Sequence, residues 1–380
     1  MKIIFFGHET NVSGAEKTLY EFISELISIS SHEIVLVLPN KKGSMFREYQ
    51  KLPIKIEIIS YTWAVRPVET DISVYHKFFN LLHFFINSII YTNRVFKYLK
   101  EEKPQIVITN TVAVPWAAFA CRIIGIDHIW VVREDFQLNG TIVSHSKFFY
   151  NYKTLFNLSK YVLMPSAEVL HRWKLNEIEF SKARIIYSNP YPKVKIDFRA
   201  KPIKDVRKAI WVGTYNHNKN PQLLLREIKL NFQKLKNWHF SFFGHGPLYE
   251  DLKNFVAESK LESQVSINVH FQSLEQFYRE ADVSISTSIN EAFGRSLAEA
   301  AKFGAIPIYP CGSSWEERFN PGLDSVCFET NTRGSISSVL NKLENKIYYV
   351  NLRNKLYEHI QLNYNLEKPE TTLVKVIENS

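Results

Sequence analysis

Short apolar runs rich in β-branched residues alternate with amphipathic helical stretches along this chain, and near residue 209 the alternation begins again. Strands covered on both faces read as near-continuous apolar runs, whereas the helices between them repeat at three to four residues. Lys2–Phe6 reads as the first strand, Gly7–Gly14 as a polar loop, and Ala15–Ile27 as a helix with Leu19, Phe22, Ile23 and Leu26 on one face. Ile34–Leu38, Ile54–Ile58, Ile106–Thr109, Ile129–Val132, Tyr161–Met164 and Ile185–Tyr187 continue the set of strands. Such alternation predicts parallel sheets wrapped by helices.

The second half repeats the plan. Ala209–Val212 is a strand, Gly213–Asn220 a polar loop, and Pro221–Leu230 a helix with proline in its first turn. Trp238–Phe243, Val265–Ile267, Val283–Ser286, Ile306–Tyr309 and Ser325–Phe328 follow as strands. Pro190–Asp205 is rich in Pro and Lys and lacks periodicity, which suits a linker. The 380 residues therefore divide into two α/β, Rossmann-like doubly wound domains, 1–190 and 206–360, joined by 191–205, with a helix in 361–380 expected to return to the first domain. Ligands of such sheets bind beyond the carboxyl ends of the strands, so a cleft faced by both domains is the expected site.

The formal net charge is +9, but Lys and Arg are scattered without a dense run, and no helix-turn-helix or RNA-binding signature appears. Nucleic acid is therefore not expected as a partner. Cys121, Cys311 and Cys327 form neither a CxxC pair nor a disulfide ladder, which points to free thiols in a reducing compartment. The opening apolar run is too short for a signal peptide. Phe78–Ile90, interrupted by Asn80, His83 and Asn87, falls short of a membrane span. It reads as a core helix; the alternative is a half-buried helix docking on a membrane or lipid acceptor, flanked by Lys77, Arg94, Lys97 and Lys100.

The segment with most chemical content is Ser286–Gly304, STSINEAFGRSLAEAAKFG. Glu291 and Glu299 lie eight residues apart, with Phe293-Gly294 at a turn and Ser296–Lys302 reading as a helix. On a single helix the two carboxylates would sit about 12 Å apart along the axis and about 80° apart around it. That distance matches a ligand with a sugar at one end and a nucleoside at the other. Free N–H groups of Phe293–Ser296 would meet an anion between them, and Arg295 could add a charged hydrogen bond. Two glutamates so spaced on a helix are also an ordinary solvated face, and this reading stands beside the functional one.

Glu291-Ala292-Phe293-Gly294-Arg295-Ser296-Leu297-Ala298-Glu299-Ala300 resembles the E-x7-E motif of the glycosyltransferase family 4 group of GT-B enzymes. Val212-Gly213 with Lys219 is similar to that family's V-G-x5-K segment, Gly244-His245-Gly246-Pro247 to its G-x-G-P turn, and Ser13-Gly14-Ala15-Glu16 to its G-G-A-E. Ala281-Asp282-Val283 and Ser286-Thr287-Ser288 resemble the strand entering E-x7-E, and Ser166 and Asn189 fall where the first domain ends. The resemblance implies a GT-B fold with an acceptor-binding first domain and a nucleotide-sugar-binding second domain. It places Glu291 by the donor sugar, Glu299 on the ribose, Lys219 on the diphosphate, and Gly14, Gly213, Thr214, Gly244, His245, Gly246, Phe293, Gly294, Arg295 and Ser296 around the donor.

Two departures matter. Thr214 stands where the family often has Arg, which would leave more of the phosphate charge to Lys219 and Arg295. No histidine follows the strand His128–Val132, which ends in Arg133-Glu134-Asp135; Arg133 could hold phosphate or acceptor, Glu134 could orient it, and His128 lies too early to replace that histidine.

The implied reaction is metal-independent hexosyl transfer with retention, in which the departing diphosphate takes the acceptor proton on the same face. No D-x-D pair and no His/Cys ligand spacing call for a metal, and no cofactor is expected beyond the substrate nucleotide sugar, with UDP as the foremost carrier. A glycan or lipid-linked acceptor, bacterial surface polysaccharide assembly, and a cytoplasmic location on the inner membrane face complete the expectation. The rivals are a nucleotide-sugar epimerase and a non-catalytic GT-B partner subunit; a nicotinamide dehydrogenase is disfavoured because neither glycine-rich loop spells G-x-G-x-x-G.

Overall fold

Each switch from strand to helix in the sequence becomes a crossover in space, and parallel crossovers set where the strand ends collect. A computed structural model of the chain describes residues 1–67, 74–133, 142–144, 152–173, 181–186, 206–269, 274–288, 291–292, 294–364 and 375–377. Contacts divide it into two units, Met1–Asn189 with Glu367–Ser380, and Pro190–Leu366.

The first unit runs β1 (Lys2–Phe6), α1 (Gly14–Ile29), β2 (Glu33–Leu38), α2 (Ser44–Tyr49), β3 (Lys55–Ile58), β4 (Val65–Pro67), α3 (Val74–Glu102), β5 (Ile106–Thr109), α4 (Trp116–Ile124) and β6 (Asp127–Val131). It continues with β7 (Ile142–Ser144), α5 (Tyr152–Asn157), β8 (Tyr161–Met164), α6 (Ala167–Arg172) and β9 (Ala183–Ile185). Seven strands form one parallel sheet in the order β3-β2-β1-β5-β6-β8-β9. Ile3 to Phe6 are fully buried, as a central strand covered on both faces requires. Val376 and Ile377 pack into this unit's core.

The second unit runs β10 (Arg207–Val212), α7 (Pro221–Leu230), β11 (Trp238–Gly244), α8 (Tyr249–Glu258), β12 (Val265–Val269), α9 (Glu275–Glu280), β13 (Val283–Ile285) and α10 (Arg295–Ala301). Then come β14 (Ile306–Pro310), a 3₁₀ turn at Ser314–Glu317, β15 (Val326–Phe328), α11 (Ser335–Glu344) and α12 (Lys346–Tyr364). Its six parallel strands are ordered β12-β11-β10-β13-β14-β15. Winding reverses between β10 and β13, the position in such a sheet beyond whose carboxyl ends ligands bind.

Three features depart from the sequence reading. Val65–Pro67 and Ile142–Ser144 pair antiparallel as a separate two-stranded sheet, and strands this short carry no alternation to read. Cys311 and Cys327 are joined in a disulfide, because β14 and β15 are neighbours in the sheet and bring their Cα atoms to 4.9 Å. The expectation of free thiols therefore holds only for buried Cys121.

The third concerns α3, which is not a core helix all round. Val95 and Leu99 are buried, but Leu82, Phe85, Ile86, Ile89 and Ile90 are exposed. No helix among the described residues is long and apolar enough to cross a membrane. The proposed linker, Pro190–Asp205, lies outside the described residues.

Candidate active site

Loops following β10 and β13 meet at the reversal point of the second sheet. Lys219, at the end of the β10–α7 loop, places Nζ 2.5 Å from Oε2 of Glu291, which lies on the loop after β13. Both are largely covered, with side-chain exposures of 27% and 12%. Ser288 Oγ donates to the same carboxylate oxygen at 3.0 Å.

The lysine is fixed from behind. Its N–H donates to Asn216 Oδ1 (2.9 Å), and its carbonyl accepts from Thr287 Oγ1 (2.9 Å). Trp211 Nε1 in turn donates to Thr287 Oγ1 (2.9 Å), so a buried indole orients the hydroxyl that holds the lysine backbone. Such supporting bonds keep a flexible ammonium within a small volume.

Glu291 and Glu299 do not share a helix. α10 starts at Arg295 and has seven residues, leaving Glu291 on the preceding loop. The 12 Å and 80° relationship of a single helix therefore does not describe them. Glu299 sits inside α10; Tyr278 OH donates to its Oε2 at 3.2 Å, and Arg295 Nε lies 3.3 Å from its Oε1. Arg295 thus lies against Glu299 one turn away, and Ser296 is half-buried in the first turn. Phe293 lies outside the described residues.

Gly294 caps α10 in the left-handed region at φ 67°, and a Cβ there would sit 1.7 Å from Trp315 Cζ2. Only glycine allows both the turn and the indole contact. Ser314 Oγ donates to the Glu291 carbonyl at 2.8 Å. The 3₁₀ turn between the two cysteines therefore braces Glu291 and the start of α10. These bracing residues carry no local sequence signal; contact with Gly294 reveals them.

The β11–α8 turn supports the same region. A Cβ on Gly244 would fall 1.9 Å from the Gly213 carbonyl oxygen, so the Val212-Gly213-Thr214 loop can lie against it only because residue 244 is glycine. Tyr215 N–H donates to the His245 carbonyl (2.8 Å), and Leu248 N–H donates to the Tyr215 carbonyl (3.0 Å). His245 is exposed, whereas Gly246 packs at Tyr215. This turn thus joins the loop that carries Lys219. Asp282 instead serves the framework, accepting from Lys208 N–H (2.8 Å) and Tyr349 OH (2.9 Å) and so tying β13 to β10 and α12.

In the first unit, Gly14 opens α1 in the exposed position after the cap Ser13, whose Oγ accepts from Glu16 N–H. Glu16 itself is fully buried: Tyr49 OH donates to its Oε2 (2.6 Å), and His8 Nδ1 lies 2.9 Å from Oε1. It is therefore a structural member of its motif. Arg133 donates from Nε to Asn110 Oδ1 (2.9 Å) and lies over the Phe22 ring at 4.8 Å. Asn110 Nδ2 donates to the Ala15 carbonyl, linking Arg133 to the start of α1.

His128 is buried, with Nε2 2.8 Å from Thr109 Oγ1 and Nδ1 2.7 Å from Ser159 Oγ; burial lowers its pKa to about 3. It is a neutral core group. Ser166 is an ordinary cap, accepting from Val169 N–H, and Glu134, Asp135 and Asn189 lie outside the described residues.

A cavity of about 530 Å³ that the sequence did not announce opens beside the β1–α1 loop. It is lined by His8, Glu9, Asn11, Asn40, Lys42 and Trp63 among others, and Trp63 Nε1 is pinned to the His8 carbonyl at 2.8 Å. Metal-ligand proximity arises among the described residues at Cys311, Glu316 and Cys327, where the two sulfurs are bonded to each other.

Residues 193–361 match the family model described as Glycosyl transferases group 1. Among solved structures, HepE of Anabaena in complex with UDP and glucose aligns over 100% of both chains at 13% identity and a TM-score of 0.74. A glycosyltransferase of Rickettsia africae ESF-5 aligns over 100% of this chain and 98% of its own, at 16% identity and TM-score 0.70. TarM of S. aureus, solved with fondaparinux, α-GlcNAc-glycerol and UDP, aligns over 99% of both chains at 12% identity and TM-score 0.72. The chain has the GT-B fold, and its second unit carries the segment similar to the glycosyl transferases group 1.

Proposed function

We propose that this protein is a retaining hexosyltransferase that moves a sugar from a nucleoside-diphosphate donor, foremost a UDP-sugar, to a glycan or lipid-linked acceptor in bacterial surface polysaccharide assembly. The observation that carries this reading is the Lys219–Glu291 pair at the reversal point of the second sheet, inside the segment matched by the family model. UDP in solved complexes of similar fold supports the choice of carrier.

In this reading Lys219 meets the donor diphosphate and Glu291 the sugar. Glu299, steadied by Tyr278, takes the ribose hydroxyls. Gly213, Thr214, Gly244, His245, Gly246, Phe293, Gly294 and Ser296 line the donor. Lys219 and Arg295 supply positive charge that grows in value as the leaving diphosphate gains negative charge. The acceptor oxygen bonds to the anomeric carbon while the carbon–phosphate-oxygen bond breaks on the same face. The acceptor proton passes to the departing oxygen, and configuration is kept.

We assign the acceptor to the first unit's cavity, where partly exposed Trp63 offers an aromatic face and Glu9, Asn11 and Asn40 offer hydrogen-bonding groups suited to a sugar. On that unit Gly14 lets the backbone approach the donor phosphate, and Arg133 completes the catalytic set with Lys219 and Glu291. Positive charge from the chain itself makes a metal-independent reaction our expectation.

A thermal-shift screen of UDP-, GDP- and ADP-sugars tests the reading, followed by acceptor trials and NMR of the product's anomeric proton. A rise in melting temperature with one nucleotide sugar, then transfer with retention, is expected. No shift with any donor would overturn it.

A further inference from the structure

α3 has two apolar sides, and only one is covered. On an α-helix, residues 82, 86, 89, 93, 97 and 100 fall within one stripe, with 85 and 90 at its edges. The opposite side carries buried Phe84, Val95 and Leu99 and packs on α4, where Tyr91 lies 5.5 Å from the Trp116 ring. The uncovered stripe holds Leu82, Phe85, Ile86, Ile89 and Ile90, all exposed and reaching 60% at Ile89. Ile123 on α4 extends it, at 67% exposure. Phe85, Ile89, Phe96, Phe119 and Ile123 border a groove of about 670 Å³.

A soluble surface rarely keeps a continuous apolar patch of this size without something to cover it. Charge along the same helix says what covers it. The apolar stripe gives way, toward the helix C-terminus, to exposed Asn93, Arg94, Lys97 and Lys100, with exposed Arg122 on α4. From Val74 to Lys100 the sequence contains no Asp or Glu. The helix thus offers an apolar stretch roughly 12 Å long, from residue 82 to 90, continuous with the cations Arg94, Lys97 and Lys100, before it ends in Glu101 and in Glu102, whose carboxylate is taken up by Lys2 and Lys55. That is the division a bilayer interface presents: acyl chains below, anionic head groups above.

We propose that α3, with the end of α4, is a membrane-docking surface that lies in the interface of an anionic bilayer. Leu82, Ile86 and Ile89 enter the acyl boundary, while Lys97 and Lys100 meet lipid phosphates. Each cation near an anionic surface raises binding roughly fivefold. The surface does not depend on the transferase reading and stands if that reading falls.

The test is vesicle co-sedimentation of the full chain, with vesicles of phosphatidylcholine alone and with about 30% phosphatidylglycerol, enough to give a negative surface potential. Binding to the anionic vesicles and at least tenfold weaker binding to the neutral ones are expected. Ile86→Asp with Ile89→Asp should remove binding while the melting temperature stays within a few degrees, since both side chains are exposed. Lys97→Glu with Lys100→Glu, which leaves the apolar stripe intact, should weaken binding at least tenfold and abolish its salt dependence.

Equal sedimentation of wild-type and both variants would overturn the proposal. A wild-type dimer in light scattering that becomes a monomer with Ile86→Asp/Ile89→Asp, without vesicle binding, would also overturn it and make the stripe an interface between two copies.

Discussion

Lys219 and Glu291, 72 residues apart, form one charge pair because β10 and β13 are neighbours at the point where the second sheet reverses its winding. The ammonium is held by its own backbone bonds to Asn216 and Thr287, and the carboxylate by Ser288. Neither charge is left alone, and under the proposed function the pair meets the hydroxyls and diphosphate of the donor. Lys219→Ala and Glu291→Ala should each lower kcat/KM for transfer by at least tenfold with the fold retained. Partners in one pair do not add, so the double variant should lose less than the product of the two single losses. Steady-state kinetics with circular dichroism of each variant checks this.

Gly294→Ala should damage both stability and activity. The new methyl group enters the Trp315 ring and forces an L-residue into the left-handed region. The combined cost is about 2–5 kcal/mol. Pairing it with Trp315→Leu should recover part of the loss, because the clash is removed and the backbone strain remains. Urea melts of the two variants separate the contributions.

The Cys311–Cys327 bond closes a loop of sequence separation 16 that contains Ser314 and Trp315, the residues bracing Glu291 and Gly294. Cys311→Ser with Cys327→Ser should cost about 3 kcal/mol, as cross-links over loops of this length do. Donor affinity should fall with it, since the brace reaches the site. Dithiothreitol should reproduce the effect in the wild-type protein and leave the serine variant unchanged, which melting and donor titration with and without reductant will measure.

His128 makes stability depend on acidity. Its pKa is lowered by burial to about 3 in the folded chain, against 6.5 ordinarily. Between these values the unfolded chain binds a proton that the folded chain does not, so stability is complete above about pH 6.5 and falls as pH drops toward 3. One such group removes about 2 kcal/mol by pH 5. His128→Asn should therefore lose less stability than wild-type between pH 7 and pH 5, although it is weaker at pH 7. Chemical denaturation at both pH values gives the comparison.

Much of this was legible in the sequence for a local reason. Lys2–Phe6, Ile106–Thr109, Tyr161–Met164 and Pro221–Leu230 match their elements residue for residue, because buried parallel strands and amphipathic helices announce themselves within a few residues. The spacing of Lys219 from Gly213, and of Glu299 from Glu291, is likewise local. What escaped is set by the tertiary fold. Tyr278 reaches Glu299 across 21 residues and Ser314 reaches Glu291 across 23, and nothing near either residue signals the contact. The cysteine pair depends on β14 and β15 being neighbours. Apolar periodicity in α3 shows which positions are hydrophobic but not which of its sides a neighbour covers, so Ile86 and Ile89 read the same as Val95 and Leu99.

Calorimetric titration of UDP into wild-type protein, Lys219→Ala and Glu299→Ala tests the donor site most directly. Wild-type should bind one equivalent, and both substitutions should weaken Kd at least tenfold. They should do so by different routes: Lys219→Ala should remove most of the salt dependence, whereas Glu299→Ala should retain it and abolish the preference for UDP over 2′,3′-dideoxy-UDP. Equal affinity for UDP in all three proteins would contradict an anion gripped beside β10 with its ribose held by α10.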